Sequence, residues 1–169
     1  MLFCFGACTV TASSQNTVFP HSWAGNWQGN LFWTQPNSQN VQVVPMQLNI
    51  HTADSAGFTW QLKYGEGETD NRPYFLFPKD STGIHWVIDE RNGIILDQYY
   101  FANRLSGVFT VMQTTIVNSY QLQGDSLVVE FNSFNKEPIS QTGMGTEESP
   151  NVMSYRVTGY QRAVLRRKP

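Results

Sequence analysis

Apolar and polar residues alternate with a period of two along most of this chain. Phe58, Trp60, Leu62 and Tyr64 interleave with Thr59, Gln61 and Lys63. Successive side chains leave a strand on opposite sides, so strict alternation marks a strand with one buried face and one wet face. Val44, Met46, Leu48 and Ile50 repeat the pattern against Gln47, Asn49 and His51, as do Ile84, Trp86 and Ile88, and Leu127, Val129 and Phe131. No window of a dozen residues carries an apolar stripe at helical spacing. The one helical turn expected lies near His21–Ala24.

Turn chemistry divides these runs. Asn92-Gly93 is a two-residue hairpin signal, Gly124-Asp125 separates two further runs, and Ser81-Thr82-Gly83 precedes another. Ten strands follow: Asn26–Trp33, Val41–Thr52, Phe58–Tyr64, Arg72–Phe77, Ile84–Asp89, Ile94–Phe101, Leu105–Gln113, Thr115–Gln123, Leu127–Phe134 and Val152–Leu165. Most connections are short, so sequence neighbours should pair antiparallel. With no helices to cover them, the strands bury one face best by closing on themselves, which also removes exposed edges. The expected fold class is all-β, an antiparallel up-and-down meander barrel of about ten strands. The segment 135–151, with Pro138, Gly143, Gly145 and Pro150, reads as one long loop, either a functional lid or simply mobile.

The first residues change the picture of where the domain begins. Met1 to Ala12 is apolar and uncharged and runs into Ser13-Ser14-Gln15-Asn16, the shape of a secretory apolar region and cleavage site. Residues 1–14 are therefore expected to be a truncated secretion signal, and 15–169 a single exported barrel domain, periplasmic, outer-membrane-associated or secreted. The stretch is too short for a transmembrane span, which needs roughly 20 residues. Cys4 and Cys8 both fall within it, leaving the mature domain no disulfide framework and no thiolate metal site. Phe5-Gly6-Ala7-Cys8 is also a distant relative of a lipobox, in which Cys8 would carry a lipid anchor.

Composition narrows the function classes. Net charge is −2 over 169 residues and only 14% of residues are charged, which gives no electrostatic footprint for nucleic acid. The polar surface comes from amides and hydroxyls, Gln and Asn each occurring 13 times. Aromatics reach 14%, a rich supply for a core or an apolar pocket. His21, His51 and His85 are too scattered for a local metal motif, and no serine stands in a nucleophile-elbow context. No cofactor and no metal is expected. Gly65-Glu66-Gly67-Glu68-Thr69-Asp70 is the densest acidic run. Glu66 and Glu68 on a continuing strand would share one face and could split their pKa values for acid–base work; the alternative is a solvated hairpin tip with Arg72 as counter-charge. The terminal Arg166-Arg167-Lys168 reads as a solvated tail.

Trp60, Tyr64, Tyr74, Trp86 and Tyr100, on central strands, are the candidate ligand-binding residues, since tyrosine and tryptophan join apolar area to one polar handle. A small barrel can enclose one ligand with such residues, or simply fill itself with them.

Gly25-Asn26-Trp27 opens the first strand, and Tyr160-Gln161-Arg162-Ala163-Val164 places an arginine on the last. The pairing resembles the calycin superfamily of lipocalins, fatty-acid-binding proteins and avidins. That resemblance implies that the last-strand arginine lies over the tryptophan at the closed end of the barrel. By position Gly25, Trp27 and Arg162 take these structural roles, with Arg156 a less suitable stand-in. A guanidinium over an indole face gains cation–π energy and ties the chain's ends together. The helices that accompany lipocalin and fatty-acid-binding barrels have no counterpart here. His85 is the last histidine, so the late proximal histidine of ten-stranded haem-binding relatives is missing.

The resemblance and the aromatic strands imply an exported, non-enzymatic barrel that binds a small apolar or amphipathic ligand inside. Two other classes stay open. One is an envelope or secreted interaction or inhibitor module with a packed interior, acting through its loops. The other is an enzyme using Glu66, Glu68 or His85.

Overall fold

The computed structural model describes residues 18–168 apart from 37, 39 and 54–56. A 3-10 turn, His21–Trp23, leads into ten strands: β1 Gly25–Thr34, β2 Gln42–Ile50, β3 Phe58–Tyr64, β4 Asp70–Pro78, β5 His85–Asp89, β6 Ile95–Phe101, β7 Arg104–Val111, β8 Thr114–Gln123, β9 Ser126–Thr142 and β10 Val152–Arg167. Each strand pairs antiparallel with its sequence neighbour, and β1 also pairs with β10, which closes the barrel. Closure leaves every strand partnered, as the absence of covering helices requires. The segment expected to be a secretion signal, Cys4 and Cys8 included, lies outside the described residues.

Alternation sorts the side chains. On β1, Trp27, Leu31 and Trp33 face inward; on β3, Phe58, Trp60, Leu62 and Tyr64 do. The barrel has two unlike ends. At one, the 3-10 turn tucks under the strands as a plug, with Phe19, Trp23, Trp27 and Trp60 buried among Leu48, Leu76 and Leu165. Phe19 stacks on Tyr100 with ring centroids 4.1 Å apart and meets Trp86 edge-on at 5.1 Å. The Trp27 indole N–H donates to the Trp23 carbonyl at 2.8 Å, satisfying a donor that burial would otherwise strand. The other end is open.

Two expectations are corrected here. The segment 135–151 is not one long loop: β9 runs on to Thr142, β10 begins at Val152, and only residues 143–151 turn between them. Pro138 is tolerated because the pairing shifts register beside it, between Ser154 and Tyr155 and again before Val157, so the missing N–H falls in an irregular stretch of the ladder. The result is a two-stranded ribbon standing out from the open end. The second correction concerns Arg162. Ala163 and Leu165 are fully buried, so a period of two sends Arg162 outward, where its Nε lies 3.5 Å from Glu130. The same parity turns Arg167 inward. Its guanidinium lies 4.3 Å from the Trp27 ring centroid and donates to the carbonyls of Ala24 and Ser22. Arg167 is therefore part of β10 and clasps the two ends of the chain, rather than belonging to a solvated tail. Gly25 allows this: its φ is +140°, and a Cβ there would sit 2.6 Å from the Arg167 guanidinium.

Candidate functional site: an open cavity in the barrel

At the open end the inward-facing residues enclose a cavity of about 480 Å³. Leu31, Val44, Phe109, Val111, Ile116 and Phe131 supply an apolar wall from β1, β2 and β7–β9. The β3–β5 side is polar: Tyr64, Asp70, Arg72, Tyr74 and, just past the end of β5, Glu90. The three charged residues, Asp70, Arg72 and Glu90, stand at or near strand ends on inward parity, where a barrel can hold charge without full desolvation. The volume falls in the range of small-molecule sites.

The charges are ordered. Arg72 holds Asp70 with two bonds, Nε to Oδ1 at 2.7 Å and Nη2 to Oδ2 at 3.1 Å. Its guanidinium also lies 4.8 Å from the Tyr64 ring centroid. The hydrogen bond to Asp70 keeps Arg72 firmly charged. Glu90 faces Tyr74 and makes no ion pair among the described residues.

A second chamber of about 80 Å³ shares Tyr64, Arg72, Tyr74, Glu90, Phe109 and Phe131 with the cavity and is lined further in by Asn118 and Tyr120. Asn118 is 2% exposed. Its Nδ2 donates to Gln98 Oε1 at 3.0 Å, while its Oδ1 has no partner. Gly107 makes room for this amide pair, since a Cβ there would come within 2.6 Å of the Asp97 carbonyl. Beneath, Tyr120 meets Trp60 edge-on with centroids 5.0 Å apart, and packing closes the barrel.

Burial shifts the phenols of this region. It holds Tyr64 and Tyr74 above the usual range and pushes Tyr120 up to about 12 from its ordinary 10.0. A raised folded-state pKa means that the unfolded chain loses its proton first as pH climbs. The phenols' contribution is thus fully present below pH 10 and is lost as pH rises toward the folded values. Thermal melts from pH 8 to 11.5 are expected to show a melting temperature that falls beyond pH 10, and Tyr120→Phe should flatten that fall.

Of the sequence-derived candidates, Tyr64 and Tyr74 line the cavity. Trp60, Trp86 and Tyr100 instead belong to the aromatic packing at the closed end. The acidic run forms a hairpin tip, with Gly65 and Gly67 at positive φ, and Glu68 pairs with Lys63 and Asn71 rather than with Arg72. Lys63 holds the Glu68 carboxyl below its ordinary range. His85 bonds Asp97 at 2.7 Å and stacks on Tyr99, His51 bonds Asn26, and His21 meets Phe58 edge-on. None of Glu66, Glu68 and His85 lines the cavity. Trp33, Glu90, Phe109 and Phe131 have no role in the sequence-derived candidates, and Asp70 and Arg72 enter them only as a hairpin-tip charge and its counter-charge, a pairing the structure has. Parity would have found the charged ones: Asp70 and Arg72 share the face of Tyr74, and Glu90 that of Ile88.

Among the described residues no three His, Cys, Asp or Glu side chains gather to hold a metal ion, and no helix is long and apolar enough to cross a membrane. No family model matches the sequence, and neither does any curated protein. Among solved structures, the chain is similar to a protein of unknown function from the DUF3598 family of Nostoc punctiforme, with a TM-score of 0.62 and 12% sequence identity. The match covers 88% of this chain and 48% of that one, so the chain spans about half the neighbour's length. At that identity the likeness is one of barrel fold.

Proposed function

We propose that this is an exported, non-enzymatic, calycin-like barrel that takes one small apolar or amphipathic molecule into its open end. The observation that carries the reading is the contrast between the two ends. Aromatic packing fills the closed end, yet about 480 Å³ stays open at the other, between an apolar wall and a polar one. A barrel that only needed a core could have filled both. The Gly25–Trp27–Arg167 clasp supports the calycin likeness by geometry, with the arginine five positions further along than the motif alone suggests.

Native mass spectrometry of protein purified from its host tests the reading. The expected result is an added small-molecule mass at one per chain, or its uptake from a panel of fatty acid, fatty alcohol, retinoid and haem probes. Protein that arrives empty and takes up none of them speaks against a ligand-carrying role. One observation favours a second reading, an interaction module: the ribbon exposes Ile139, Met153, Tyr155 and Val157, each about half accessible.

A further inference from the structure

We propose that the cavity selects the head group of its ligand: it takes an amphiphile bearing a protonated amine, held by Glu90, and disfavours a carboxylate. The inference rests on the cavity being a ligand site and concerns only what that site prefers. Two carboxylates and one guanidinium line it. Arg72, the lone cation of the lining, has two of its five N–H donors engaged by Asp70, which neutralises its charge. An incoming carboxylate that reaches the remaining donors sits beside Asp70 and Glu90, and like-charge juxtaposition is unfavourable. An amine meets the opposite situation. Glu90 accepts it without displacing a basic partner, and the Tyr74 ring, which also lines the cavity, offers a face that attracts cations.

The chamber beneath shares Glu90, Arg72 and Tyr74 with the cavity and adds Asn118 and Tyr120, so the polar side of the site continues inward. The facing wall, with Leu31, Val44, Ile116 and Phe131, suits an alkyl or aryl tail.

The test uses three probes with one tail and different heads: dodecylamine, dodecanol and laurate, each titrated below its aggregation threshold at pH 7. The expected result is that dodecylamine binds about tenfold or more tightly than laurate, with dodecanol between them. Glu90→Gln should remove most of the preference for amine over laurate, while Glu148→Gln, in the ribbon turn, should keep it. Melting curves establish that each variant is folded. If dodecanol binds but the amine and laurate bind alike, or laurate binds best, the head-group inference is overturned and the cavity reading stands. A persisting preference in folded Glu90→Gln overturns the role of that residue. If none of the three binds, the cavity reading fails and the inference with it.

Discussion

Trp60→Ala is expected to destabilise the protein by about 3–5 kcal/mol, the range for removing a fully buried tryptophan. Trp60 is completely inaccessible, lies 6.4 Å from Trp23 between ring centroids, and meets Tyr120 edge-on at 5.0 Å. It stands between the plug at the closed end and the chamber above, so its loss opens a hole that the closed strands around it cannot collapse to fill. Equilibrium urea unfolding gives the number. A loss below about 1 kcal/mol would mean that the closed end is loosely packed, a result the cavity cost of buried aromatics rules against. It would also return Trp60 to the candidate ligand lining, from which this packing removes it.

Arg167→Ala is expected to cost about 1–3 kcal/mol, and Arg162→Ala less than about 0.5 kcal/mol. Arg167 joins two contributions: its place over the Trp27 ring and its charged hydrogen bonds to the Ala24 and Ser22 carbonyls. Together they fix the 3-10 plug against the last strand. Arg162 pairs on the outer surface with Glu130 across a 3.5 Å gap, an exposed contact of the kind that contributes little. Parallel denaturation of the two variants decides between them. Equal losses, or a larger loss at Arg162, would contradict the clasp described here.

The barrel was legible in the sequence because a period of two is a strong signal wherever one face is buried. β3 was read over its full length, and most other strands to within a residue or two. The ribbon was not legible. Once β9 leaves the barrel both of its faces meet water, alternation stops, and Pro138 imitates a loop. The clasp was half legible. The motif pointed to an arginine on the last strand, but parity, which assigns Ala163 and Leu165 to the interior, also assigns Arg167 there and excludes Arg162.

The site was legible only where it was aromatic. Tyr64 and Tyr74 alternate like core residues and were found. Asp70, Arg72 and Glu90 follow the same parity at strand ends, where a charged residue looks like the start of a turn. Trp60, Trp86 and Tyr100 show why aromatic character alone misleads: the residues that seal a barrel and those that line its cavity share one composition and differ in height along the axis. Only the placement of the plug under one end separates them.

The central claim, that the open end receives a small apolar molecule, is tested most directly by titrating the neutral fluorescent probe N-phenyl-1-naphthylamine into the protein and into Ile116→Trp. Ile116 lines the cavity, and the larger indole of tryptophan there is expected to obstruct part of it. Saturable, one-to-one binding to the native protein and clearly weaker binding to a variant that melts normally are expected. Absence of binding to the native protein, or undiminished binding to the obstructed variant, would contradict a ligand in the open end.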